Sequence, residues 1–103
     1  MVALSFLCLP ATPALGQFET ASVLGVVRDT SGAVVASAAV TLANVGTGIS
    51  ATAITDADGH YEFFAVRVGS YRLTARKLTF STTTADDVAV GIGARQRVDL
   101  ALA

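Results

Sequence analysis

Tryptophan is absent from the 103-residue chain, and cysteine and histidine each occur once, as Cys8 and His60. One thiol excludes an internal disulfide, and one imidazole excludes a zinc centre built on several histidines. Aromatic residues make up only 7%, which leaves little material for a sugar-stacking platform. Charged side chains make up 15% and sum to -1 at pH 7, so no electrostatic argument favours nucleic acid or an anionic membrane. No window approaches the roughly 20 apolar residues that a membrane-spanning helix requires. No glycine-rich phosphate loop leads into a helix.

What is present opens with an uncharged segment: the first charged side chain is Glu19. Val2 to Leu9 form an apolar core, Pro10 and Pro13 break it, and Ala14-Leu15-Gly16 offers small residues where signal peptidase reads them. The expectation is a signal peptide over residues 1–16, cut between Gly16 and Gln17, followed by one domain over 19–103. No Lys or Arg precedes the apolar run, so either the start lies a few codons too late or the signal is weak. A short N-terminal strand is the bland alternative. Bulky Leu7 before Cys8 argues against lipidation there. Cleavage leaves a cysteine-free protein, compatible with an oxidising compartment.

From Ala21 onward, short strand-like runs alternate with turn signals every 8–12 residues or so, the spacing of a sandwich. The runs are 22–28, 38–43, 49–55, 61–64, 71–76, a polar Thr-rich 80–84, 88–90 and 97–102. Asp29-Thr30-Ser31-Gly32, Gly46-Thr47-Gly48 and Gly91-Ile92-Gly93 separate them as turns. The most informative stretch is Thr55-Asp56-Ala57-Asp58-Gly59-His60-Tyr61-Glu62-Phe63, followed by Gly69-Ser70-Tyr71. Asp56 and Asp58 can bond their own backbone two residues on, and Gly59 supplies the positive φ of a tight turn. Tyr61 and Phe63 then share one face of a strand. No window keeps helical periodicity for three turns.

These residues, in this order, resemble the carboxypeptidase regulatory-like (transthyretin-like) domain. The match runs through Gly25-Val26-Val27-Arg28-Asp29, Ser31 to Val35 and Ala38 to Asn44, then the acidic turn with Tyr61 and Phe63, and Gly69-Ser70-Tyr71. It looks most similar to copies at the N-terminus of TonB-dependent, Oar-like outer-membrane receptors. The resemblance implies an all-β fold, a seven-stranded antiparallel β-sandwich with an Ig-like Greek key, and no catalytic group or cofactor. It also implies a place in the periplasm or at the outer membrane, with a receptor plug and barrel or another envelope protein as partner. The chain ends where such a receptor would continue, which reads as a truncated product or a free-standing copy. Two departures stand out. Arg67-Val68 occupies a place where the family has proline, and Thr79 one where it commonly has glycine.

Each remaining motif has a bland reading beside the sharp one. Asp56-x-Asp58-Gly59 lacks the third oxygen residue and closing Glu of a calcium loop, so a structural turn is expected. Ser-His-Asp catalysis would need His60 held by a buried Asp and facing a Ser. Tyr61 and Tyr71 could form a ligand patch, but tyrosines beside turns usually anchor a core. Arg72, Arg76, Lys77, Arg95 and Arg97 are interspersed with Asp86, Asp87 and Asp99, which describes a mixed solvated face. In the first strand Val23, Gly25 and Val27 are expected to face the core, leaving Leu24 and Val26 outward as a candidate interaction face.

The reading is a non-catalytic exported interaction module with neither metal nor cofactor site. A carbohydrate-binding module, implied by the fold's wider relatives, is the alternative; an exposed tyrosine pair would favour it and a buried pair would count against it.

Overall fold

The computed structural model describes residues 20–103, so the expected leader over 1–16, with Cys8, lies outside the described residues. Eight strand segments follow one another: β1 (Thr20–Asp29), β2 (Ala39–Asn44), β3 (Ser50–Ile54), β4 (His60–Arg67), β5 (Gly69–Arg76), β6 (Thr83–Val90), β7 (Arg95–Arg97) and β8 (Leu100–Leu102). One sheet is ordered β4-β1-β7 with β8 also on β1, and the other β3-β2-β5-β6. No helix among the described residues is long and apolar enough to cross a membrane.

The two sheets close on one core because their strands alternate. Val23 and Val27 from β1, Val40 from β2, Leu73 from β5 and Leu102 from β8 are fully buried. Burying each such side chain contributes about 2 kcal/mol. Tyr61 and Phe63 join the same cluster with their rings edge to face, centroids 5.9 Å apart. The all-β sandwich expected from the turn spacing is the one that forms.

Its C-terminal end differs in detail from an all-antiparallel arrangement. β7 and β8 both run parallel to β1 with one register, Leu24 opposite Arg97 and Val27 opposite Leu100. They are a single strand interrupted at Val98-Asp99, and counting them once gives seven. At the interruption the Val98 N–H donates to the Leu24 carbonyl at 2.8 Å, and the Asp99 carboxylate accepts from the Val26 N–H at 2.9 Å. A side chain thus replaces one rung of the backbone ladder.

Two bulges shape the edges. On β4, Phe64 and Ala65 together oppose Ser22, and Ala65 takes φ 54. On β6, Asp86 and Asp87 together oppose Arg72, and Asp87 takes φ 58. The second bulge corrects a sequence expectation. The runs at 80–84 and 88–90 belong to one strand beginning at Thr83, because the extra residue absorbs the two aspartates and Arg72 pairs with Asp86.

Candidate functional site

The sequence-predicted positions divide between core, turn and surface. Asp56 builds the turn: its carboxylate accepts from the N–H groups of Asp58 and His60 at 2.9 and 3.0 Å. Those amides, with the nearby His60, hold the Asp56 carboxyl below its ordinary value against a small opposing effect of desolvation. Gly59 sits at φ 77, and a Cβ there would come within 2.8 Å of the Val27 carbonyl, so glycine is required twice over. The Asp58 side chain stays exposed at the turn. Among the described residues no three His, Cys, Asp or Glu side chains come together. His60 is exposed, and Asp56 bonds its backbone, so neither is arranged as a triad base and its orienting acid.

Both tyrosines are inside. Tyr61 is 3% exposed on one sheet and Tyr71 6% exposed on the other. The Tyr61 hydroxyl donates to the Val98 carbonyl, and the Tyr71 hydroxyl to the Arg67 carbonyl at 2.8 Å. Burial first, and then the charge of Asp99, push the Tyr61 hydroxyl well above the ordinary tyrosine range. Gly69, at φ 152, lets the chain turn into β5 beside the Tyr71 ring. These residues supply anchors and turns, and no exposed tyrosine pair exists for a sugar to stack on.

The outward face expected on β1 needs correction. Val26 is buried at 3% exposure, and Leu24 is half-buried. The reason is position: β1 lies inside its sheet, with β4 on one flank and β7 and β8 on the other. Val26 has His60 as its partner across the sheet, while Asp99 reaches in from the opposite flank. Leu24 lies between Glu62 and Arg97, its neighbours on the two sides.

Exposed apolar side chains gather instead along the side of the sandwich where the edges of β3 and β4 face each other, while others, Leu78 and Ile92 among them, stand singly in loops. An apolar groove of about 310 Å³ opens there, with Leu42, Phe63 and Tyr71 reached from its inner side and Ile49, Phe64 and Arg67 at its lining. Phe64 is 74% exposed and Ile49 73%. Phe64 faces outward by plain alternation after Tyr61 and Phe63, and the β4 bulge widens the apolar strip: the extra residue keeps Ala65 outside as well before Val66 turns inward. A second, more polar groove continues along the same side, lined by Leu24, Ile54, Asp56, His60, Glu62 and Arg97 among others. Sequence reading placed neither Phe64 nor Ile49 in a site. The available signal was the unbroken apolar run Phe63-Phe64-Ala65-Val66, which a strand with one wet face does not carry.

The surrounding fold is shared with several solved structures. A candidate carbohydrate-binding protein from Bacteroides uniformis superposes with a TM-score of 0.65 at 22% identity, over 81% of this chain and 41% of that one. The chain therefore spans about two fifths of that protein. A second candidate carbohydrate-binding protein, from Pseudomonas aeruginosa, gives 0.59 at 17% identity over 91% and 99%. The dioxygenase domain of a dioxygenase–carbohydrate-binding fusion from Streptomyces gives 0.64 at 14% identity over 92% and 84%. At these identities the likeness is one of fold, which serves binding and catalysis alike. No curated protein matches the sequence. The model of the carboxypeptidase regulatory-like domain matches residues 22–103, strand β1 to the last residue after β8, and the chain belongs to that family.

Proposed function

We propose that this protein is a non-catalytic interaction module, exported to the cell envelope and of the type found at the N-terminus of TonB-dependent receptors. Its work is recognition by shape at the open side of the sandwich, with a receptor plug and barrel or another envelope protein as partner. The observation that carries the reading is Phe64, a large apolar side chain 74% exposed beside a groove that reaches the core. A monomeric domain gains nothing in stability from such a side chain, whereas an interface uses it as an anchor.

The test is calorimetric titration of the chain with purified plug domains from the same envelope and, separately, with soluble oligosaccharides. Phe64→Ala is expected to weaken the protein complex about thirtyfold, the loss of an interface anchor worth ~2 kcal/mol. Phe63→Ala serves as contrast, because its ring is in the core and its loss costs about 3 kcal/mol of stability. Saturable oligosaccharide binding that Phe64→Ala removes, with no plug complex, would instead establish a carbohydrate-binding module. The exposed Phe64 ring favours that second reading, and the burial of both tyrosines opposes it.

A further inference from the structure

Sheet edges are exposed rows of unpaired peptide groups, and folded proteins blunt them with charge, proline, bulges or shortness. Three of the four edges here are blunted. β4 carries Glu62, Arg67 and the Phe64-Ala65 bulge. β6 carries Asp86 and Asp87 within its own bulge. The last edge is two three-residue pieces, interrupted at Asp99 and flanked by Arg95 and Arg97. β3 has none of these devices. Ser50-Ala51-Thr52-Ala53-Ile54 is regular and uncharged, pairs with β2 on one side only, and is exposed at four of its five positions.

We propose that β3 is where two copies of this chain join, antiparallel, about a two-fold axis through Thr52. The Asn44 N–H donates to the Ile49 carbonyl and the Thr55 N–H to the Ala38 carbonyl, which sets the alternation of the β2–β3 ladder. By that alternation the peptide groups of Ser50, Thr52 and Ile54 point to the open edge. In the self-paired register Ser50 meets Ile54 of the second copy and Thr52 meets Thr52, so each outward peptide group finds a partner. No like charges are opposed across the axis. The ends of the strand are complementary as well. Asp56 and Asp58 follow its C-terminal end, while Arg67 lines the groove beside Thr47, Ser50 and Ala51 at the other. Neither Asp58 nor Arg67 forms an ion pair among the described residues. Antiparallel pairing carries the acidic end of each copy toward the basic end of the other. The product is a continuous eight-stranded sheet with isologous symmetry. This association borders the Phe64 groove, because Ser50, Ala51 and Arg67 also line it, so a partner seated there would compete with the second copy; sedimentation of the chain alone reads the association by itself.

Sedimentation velocity over a dilution series tests it, on the wild type, Thr52→Lys, Thr52→Glu and an equimolar mixture of the two variants. The wild type is expected to show a monomer–dimer equilibrium, and each charged variant to dimerise at least about tenfold more weakly, from like charges opposed on the axis. The mixture is expected to recover the dimer. Circular dichroism checks that both variants are folded. Amide hydrogen exchange on the wild type is an arm that needs no variant: Ser50, Thr52 and Ile54 gain protection with concentration if β3 is the joint. A wild type that stays monomeric at every concentration overturns the proposal. So does a dimer indifferent to Thr52→Lys, or a mixture that stays monomeric.

Discussion

Tyr61 lies directly across the sheet from Gly25, and its hydroxyl donates to the Val98 carbonyl that sits over that glycine. A Cβ at Gly25 would overlap the Val98 carbonyl oxygen and stand 2.9 Å from the Tyr61 hydroxyl. Gly25→Ala is therefore expected to destabilise the domain by about 3 kcal/mol, since a backbone segment must move to admit one methyl group. Tyr61→Phe removes only the hydrogen bond and should cost ~1 kcal/mol, leaving the half-buried Val98 carbonyl without its donor. Urea denaturation of the two variants measures both. An alanine tolerated at position 25 would show that Val98 does not cover β1 as described.

Thr79 holds φ 76 in the turn after β5, a conformation that costs a β-branched residue about 1–3 kcal/mol. The chain has kept the backbone path of a glycine without the glycine. Thr79→Gly is expected to stabilise by about 1 kcal/mol after the entropy of the unfolded glycine is deducted. That corresponds to a rise in Tm of roughly 4–8 °C for a domain of this size. An unchanged or lower Tm in a thermal scan would mean that the threonine side chain contributes contacts that offset its strain.

Stability should fall at both ends of the pH range, for different reasons. Asp29 is held below its ordinary value of 3.8, first by the Ser31 hydroxyl and then, against desolvation, by the amides of Ser31, Ala33 and Gly32; Asp56 is lowered by its turn amides. A lowered folded value means that their contribution is present above about pH 4 and is lost as pH falls through the folded value. Tyr61 is the opposite case, raised above its ordinary value of 10.0. Its contribution is complete below pH 10.0 and declines as pH rises beyond it, because only the unfolded chain ionises readily there. Urea midpoints against pH, with tyrosinate absorbance followed in parallel, report both limits. Tyr61→Phe should remove the late-ionising part of the absorbance.

Much of this architecture was legible in the residues. Asp29 and Asp56 start turns with their own carboxylates, Gly59 takes the positive φ, and Tyr61 and Phe63 share a face, all local relationships that spacing expresses. What escaped was set by partners distant in sequence. Leu24 and Val26 look outward in any single strand, and only the parallel pairing with β7 and β8, on either side of Val98-Asp99, makes β1 an interior one. The bulges at Phe64-Ala65 and Asp86-Asp87 depend on pairing partners that alternation alone does not name. Thr55 is a further case. It reads as the polar end of a strand, yet its buried hydroxyl accepts from the Ala38 N–H and donates to the Val35 carbonyl, both at 2.8 Å.

The parallel pairing of β1 with β7 and β8 also dictates an order of events. Residues 20–29 must wait for residues 95–102 before their sheet is complete, a sequence separation of 73 at Val27 and Leu100. Contacts this distant close slowly, because the intervening chain must be ordered first. During synthesis, β1 stays half-paired until Leu102 has cleared the ribosome. Until then the outer peptide groups of residues 20–29 stay open to other strands, which makes the first strand of a partly made chain its most association-prone segment.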